Sequence, residues 1–147
     1  MTESRYAMEK KIRVTGAIIV KGDKVLAGQR GYGPLKGKWE FPGGKAKEHE
    51  SDKDALTREI KEELEIDILV DKLVATVNAK DAQEKDISIS FYTAYCADEN
   101  LSFNAHDAFL WVDMAHIEEL DWLPADKAII SDIEKILENN RKKGECK

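Results

Sequence analysis

Apolar residues along this chain switch between strand-like and helix-like spacing three times. Ile12 to Val20 is an apolar run rich in β-branched residues, Lys21 to Lys24 carries turn chemistry, and Val25 to Gln29 returns as a second strand. Gly31 to Lys38 holds too much glycine and proline for regular structure and reads as a loop. Trp39 to Phe41 is a short strand feeding Pro42-Gly43-Gly44-Lys45. The spacing then turns helical: at about 100° per residue Leu56, Ile60 and Leu64 fall on one arc, a core-facing stripe. Ser51 or Asp52 caps the start of this helix, and Asp54 complements the positive end of its dipole. Ile66 to Asn78 is β-like again, and the charged stretch Ala79 to Lys85 reads as a hairpin loop. Asp86 to Cys96 alternates, with Ile87, Ile89, Phe91, Thr93 and Tyr95 on one face and Ser88, Ser90, Tyr92 and Ala94 on the other. Ala108 to Val112 is a further short strand, and from Pro124 helical spacing returns with Ile129, Ile130, Ile133, Ile136 and Leu137 on one stripe.

At 147 residues, with no repeats or linkers, the chain is expected to be one domain, with Met1 to Lys11 and Arg141 to Lys147 as loose ends. Strands with two interleaved helices predict an α/β fold: a mixed sheet covered on both faces. The net charge of −6 argues against a nucleic-acid polymer as partner, because such proteins carry a basic stripe. It leaves room for a nucleotide if metal ions offset the phosphate charge. Cys96 and Cys146 form no disulfide framework, and no apolar run approaches a signal sequence or membrane span. A soluble cytoplasmic domain with no membrane partner is expected.

Candidate chemistry concentrates on the first helix. Glu59 and Glu63 are one turn apart and Glu62 lies three residues from Glu59, so three carboxylates share a patch. Their mutual repulsion becomes binding if a hard divalent cation joins them, since Mg²⁺ takes oxygen ligands and shares them with substrate phosphates. A solvated acidic face is the alternative reading of the spacing alone.

The wider pattern changes the picture. Gly44, five residues, Glu50, seven residues, then Arg58-Glu59-Ile60-Lys61-Glu62-Glu63-Leu64-Glu65-Ile66 resembles the Nudix box at every fixed position but one. The chain resembles the Nudix hydrolases, in particular the MutT-like nucleoside triphosphate pyrophosphohydrolases, and the resemblance implies an α/β/α sandwich with a mixed central sheet. Glu65 stands where the family has glycine, at a helix end where a left-handed conformation is common; a glutamate there costs on the order of 1 kcal/mol.

The resemblance implies that Glu59, Glu62 and Glu63 hold Mg²⁺ (or Mn²⁺) against the substrate's pyrophosphate, with the Gly43 carbonyl as a further ligand. Glu50 is expected behind them as a supporting group or additional metal ligand, and Arg58 as the ion-pair partner that orients a box glutamate. Lys45 and Arg30 are candidates for phosphate contact. The family often carries Glu-His before the strand holding Trp111; here Ala105 takes the glutamate's place in Asn104-Ala105-His106-Asp107, so His106 or Asp107 is expected to substitute in part. The turn Pro124-Ala125-Asp126 makes Asp126 the candidate reader of the base, or else the N-cap of the last helix. As a carboxylate it accepts only, favouring the amino group of cytosine or the protonated ring nitrogen of 8-oxoguanine. Val14, Gly16 and Phe91 are expected near the base; Tyr92, Trp39 and Trp122 are possible stacking surfaces or core. His49 and His116 are expected on the surface.

The implied activity is hydrolysis of a nucleoside triphosphate to the monophosphate and pyrophosphate, on CTP/dCTP-type or 8-oxo-dGTP-type substrates, by a monomer or homodimer. Other readings are a nucleotide-sugar or ADP-ribose hydrolase, and a non-catalytic nucleotide-binding domain.

Overall fold

The computed structural model describes residues 11–98 and 100–145; the expected loose stretch up to residue 10, and Cys146, lie outside the described residues. Strand β1 (Ile12–Lys21) runs parallel to β6 (Asp86–Cys96), from Ile12 opposite Ile87 to Ile19 opposite Ala94. On its other side β1 pairs antiparallel with β4 (Gly43–Lys45), and β6 is flanked antiparallel by β5 (Ile68–Lys80). The end of β1 turns through Gly22, at φ 60°, into β2 (Lys24–Arg30). β2 pairs with β7 (His106–Asp113) along its length and with the two-residue β3 (Trp39–Glu40) at its end.

Alternation along β1 divides the core in two. Ile18 and Val20 point to one side, into a cluster with Phe41, Phe91, Trp122, Ile129, Ile133 and Leu137. Ala17 and Ile19 point to the other, against Leu56, Ile60, Leu64 and Ile66. The first helix, α1 (Asp52–Leu64), therefore covers one face and α3 (Ile130–Glu145) the other, which is the α/β/α sandwich expected. All three residues of the predicted α1 stripe are fully buried.

Ser51, not Asp52, caps α1: its hydroxyl accepts the Asp54 N–H at 3.1 Å. Asp52 instead begins the helix and binds Arg13 at 2.7 Å and the Tyr92 hydroxyl at 3.1 Å. At the far end Glu65 adopts the left-handed conformation (φ 56°, ψ 36°) that the box glycine would supply, and its N–H donates to Lys61 O at 3.1 Å. Its carboxylate accepts from Asn104 Nδ2 at 3.1 Å, a contact glycine could not make.

Several boundaries differ from the sequence reading, among them β5, which runs Ile68–Lys80 where Ile66 to Asn78 was expected. Gly43–Lys45 is a strand, because the glycines let it lie against β1: a Cβ on Gly43 would come within 2.0 Å of Thr15 O. β7 begins at His106. The last helical region is two pieces, α2 (Pro124–Lys127) and α3. And α3 runs through Arg141 to Glu145, a stretch expected to be loose, with Arg141 bonded to Glu138 at 2.6 Å. Among the described residues no helix is long and apolar enough to cross a membrane.

Candidate active site

The box helix lies beside β4, and glycine makes that approach possible. A Cβ at Gly44 would sit 2.3 Å from Glu59 Oε2, so the bare Cα is what lets the Glu59 carboxylate cross the strand. Ala17 N–H donates to Pro42 O and Ala46 N–H to Arg13 O, which fixes the bonded positions of the β1/β4 ladder. Bonded and non-bonded pairs alternate in antiparallel ladders, so Gly43, opposite Gly16, is a non-bonded position with its carbonyl turned away from β1. The carbonyl of Lys45, in the equivalent position two residues on, accepts from Arg58 Nη2 on α1 at 3.1 Å. Gly43 thus offers its carbonyl on the edge that faces the box helix.

The three box glutamates do not form a single cluster. Burial, the Glu40 charge and the neighbouring Glu59 together push the Glu63 carboxyl up to about 8. Glu62 is more than half exposed and turned to Arg58, at 3.2 Å. Among the described residues no three Asp, Glu, His or Cys side chains are arranged to hold a metal. Arg58 takes the place of a cation instead: its guanidinium binds Glu50 through Nε (2.7 Å) and Nη2 (2.9 Å), Glu59 at 3.0 Å and Glu62. Both Glu50 oxygens are taken by Arg58, one also accepting Lys47 N–H at 2.9 Å, and these hydrogen bonds pull Glu50 down to about 2. Glu50 therefore supports Arg58, and Arg58 spaces the glutamates.

This donor set fits a hard divalent cation. The Glu59 carboxylate laid over the bare Cα of Gly44, Glu63 one turn along the helix and the Gly43 carbonyl are three hard oxygen donors of the kind such an ion takes. Glu59, Glu63 and Gly43 would hold it, while Glu62 stays with Arg58.

Glu40 connects this site to the other face of the sheet, and nothing in the sequence singled it out. Its Oε1 accepts from Arg30 Nη2 at 2.7 Å and its Oε2 from His106 Nε2 at 3.0 Å. Burial alone would raise its pKa, but the His106 hydrogen bond and the Arg30 charge outweigh it and hold Glu40 below the usual glutamate value. His106 is accordingly not a loop group free to meet a metal: it heads β7, fully buried, and points at Glu40. Asp107 is exposed beside Gly31. Arg30 is tied to Glu40 and stacks on Tyr32, 5.3 Å from the ring centre, while Lys45 is exposed at the end of β4.

The residues expected near the base come together in the hydrophobic core, where Phe91 is 1% exposed and Phe41 and Trp122 are each 4% exposed. Gly16 makes room for the Phe91 ring, which a Cβ would meet at 2.7 Å; Phe91 meets Phe41 edge-on at 6.2 Å, and Phe41 stacks on Trp122 at 4.6 Å. Val14 packs against the same cluster. Asp126 is not a helix N-cap: α2 is capped at Leu123, and Asp126 is its third residue, 5% exposed. Its Oδ2 accepts the Phe41 N–H at 2.8 Å. Burial pushes its carboxyl up to about 8, so near neutral pH it is mostly the acid, which donates as well as accepts. That burial favours an acid that also donates over the accept-only carboxylate expected from the sequence. His49 and His116 are exposed, as expected, and His116 pairs with Asp113.

A two-faced α/β/α sandwich with glutamates laid over a glycine strand defines a class, and comparison with known proteins agrees with it. The chain belongs to the Nudix family: the NUDIX domain model matches residues 10–142. It is a Nudix hydrolase, an enzyme family that generally depends on a divalent metal. It is 34% identical over 131 residues (88% of this chain, 92% of the relative) to a Mycobacterium tuberculosis protein named "Putative 8-oxo-dGTP diphosphatase 2". It is 32% identical over 118 residues (80% and 87%) to the CTP pyrophosphohydrolase of Escherichia coli. Among solved structures, the MutT Nudix hydrolase of Burkholderia pseudomallei superposes with a TM-score of 0.72 at 25% identity, covering 84% of this chain and 98% of that one.

Proposed function

We propose that this chain is a Mg²⁺-dependent pyrophosphohydrolase that takes a nucleoside triphosphate and water to the monophosphate and pyrophosphate. The observation that carries this reading is the Glu59 carboxylate laid over the bare Cα of Gly44 and bound to Arg58 at 3.0 Å, with Glu40 on β3 tied to Arg30 at 2.7 Å and followed by Phe41, whose N–H Asp126 accepts at 2.8 Å. A nucleotide spanning these groups would put its phosphates by the glutamates and its base by Asp126. When bound, the cation supplies charge neutralisation at the phosphoryl oxygens and a more acidic water. Arg58 spaces the glutamates, Arg30 offers donors to the phosphate chain, and Asp126 pairs with the base.

The neutral Asp126 acid, with an O–H to give and an oxygen to receive, suits a base edge that presents a donor beside an acceptor. Cytosine does so with its amino group and ring nitrogen, and 8-oxoguanine with its ring N–H and carbonyl. The relatives' names, an 8-oxo-dGTP diphosphatase and a CTP pyrophosphohydrolase, support both members of that set.

Pyrophosphate release from canonical and oxidised triphosphates, alongside nucleotide sugars and ADP-ribose, tests the reading. The expected result is release from CTP-type or 8-oxo-dGTP-type substrates with Mg²⁺ and none with chelator. Turnover of nucleotide sugars or ADP-ribose alone, or nucleotide binding without turnover, would replace it.

A further inference from the structure

We propose that His106 and Glu40 are positioning residues that fix the Arg30 guanidinium in the nucleotide's path between the box glutamates and Asp126. This rests on the pyrophosphohydrolase reading. The His106 side chain is fully buried, and the sheet is cut to hold it: a Cβ on Gly28 would come within 2.6 Å of its ring. Because a carboxylate only accepts, Nε2 carries the hydrogen it gives to Glu40 Oε2. With His106 behind it, Glu40 has one oxygen left for Arg30, and it takes Nη2 at 2.7 Å.

Arg30 is thereby held from two sides, by Glu40 in the plane of the guanidinium and by the Tyr32 ring. Phe41, next to Glu40 on the chain, donates its N–H to Asp126 Oδ2 at 2.8 Å, which sets the Glu40-bound guanidinium beside Asp126, and its charge also acts on Glu63 of the box helix. Its Nε is buried without a partner and Nη2 is committed, so the remaining guanidinium hydrogens are those left for a ligand. A freely moving arginine would pay for ordering at each binding event; one already braced does not. The ligand chemistry this favours is the phosphate chain of the nucleotide.

The test is a double-mutant cycle of His106→Leu with Arg30→Ala, with His106→Gln as the conservative variant. It is read on kcat and KM for the preferred triphosphate and, independently of turnover, on the dissociation constant of inorganic tripolyphosphate in Mg²⁺. His106→Leu is expected to raise KM and that dissociation constant about tenfold, the usual scale for a lost hydrogen bond to a charged group, with kcat changed less than about threefold. His106→Gln, whose amide still donates to Glu40, should recover most of the loss. On the Arg30→Ala background His106→Leu should add less than about twofold. An undiminished His106→Leu effect in that background, or a lowered melting temperature with unchanged KM and tripolyphosphate binding, would overturn the proposal. If His106→Leu does not fold, Glu40→Gln takes its place in the same cycle. Should no triphosphate be hydrolysed, the proposed function falls, while the tripolyphosphate arm still decides the role of His106.

Discussion

Asparagine at position 126 should make this protein more stable, and increasingly so as pH rises. Asp126 is buried, with one oxygen on the Phe41 N–H at 2.8 Å, and its pKa moves from 3.8 to about 8. Above its unfolded pKa the unfolded chain gives up the proton while the folded chain keeps it. The folded state then binds more protons, and stability falls as pH climbs from about 4 towards about 8. At pH 7 the mismatch is roughly three pKa units, which at about 1.4 kcal/mol per unit is on the order of 4 kcal/mol, an upper bound. Asp126→Asn removes that cost and keeps the shape: the amide oxygen accepts from Phe41 and the amide hydrogens replace the acid's O–H. Thermal melts of both proteins from about pH 5 to about pH 8.5 check this, with the two curves near each other at the acid end and parting at the alkaline end. Glu63, raised in the same direction, tilts both curves equally and cancels in the difference. A difference that stays constant with pH, or narrows as pH rises, would refute the assignment of a neutral acid at 126.

Other outcomes are expected. Glu63→Gln should cut turnover by several orders of magnitude with the melting temperature unchanged or higher; wild-type rates would defeat the metal assignment. Binding of Mg²⁺ at pH 7 should release close to one proton per chain, because Glu63, raised to about 8, holds one that a cation must displace. Calorimetry in buffers of different ionisation enthalpy measures this, and a release near zero would mean that the ion sits elsewhere. Glu65→Gly should melt higher than Glu65→Ala by about 2–4 °C, since both lose the Asn104 contact and only glycine is at ease in the left-handed conformation. Equal melting temperatures would remove the strain argument. Asp126→Ala should alter preference among bases more than hydrolysis of the phosphate chain; equal losses on every nucleotide would argue against a base contact.

The layers were legible because each rests on a local period. Leu56, Ile60 and Leu64 declared the box helix, and the alternation of Ile87, Ile89 and Phe91 declared β6; all six are buried where expected. Glu40 was not legible. A glutamate between Trp39 and Phe41 reads as the wet side of a short strand, and its burial depends on Arg30 from β2 and His106 from β7, partners no spacing rule joins. His106 was misplaced for the same reason: its motif looks like a loop until β2 pairs with it at Arg30. The Arg58 web was half visible, since its i,i+4 relation to Glu62 is in the sequence, whereas the Glu50 contact depends on the loop before the helix folding back. The charge state of Asp126 is a property of burial, which no motif encodes.

The odd and even positions of β1 answer to different masters: Val14, Gly16 and Ile18 lie with the aromatic core cluster, Ala17 and Ile19 with the box helix. A single-codon deletion inside that strand would exchange the two sets, presenting helix-packing residues to the aromatic cluster and cluster residues to the helix. Variation in length should therefore be barred from the stretch between Arg13 and Val20 yet easily absorbed at the Asp81–Lys85 turn, where no such parity is kept.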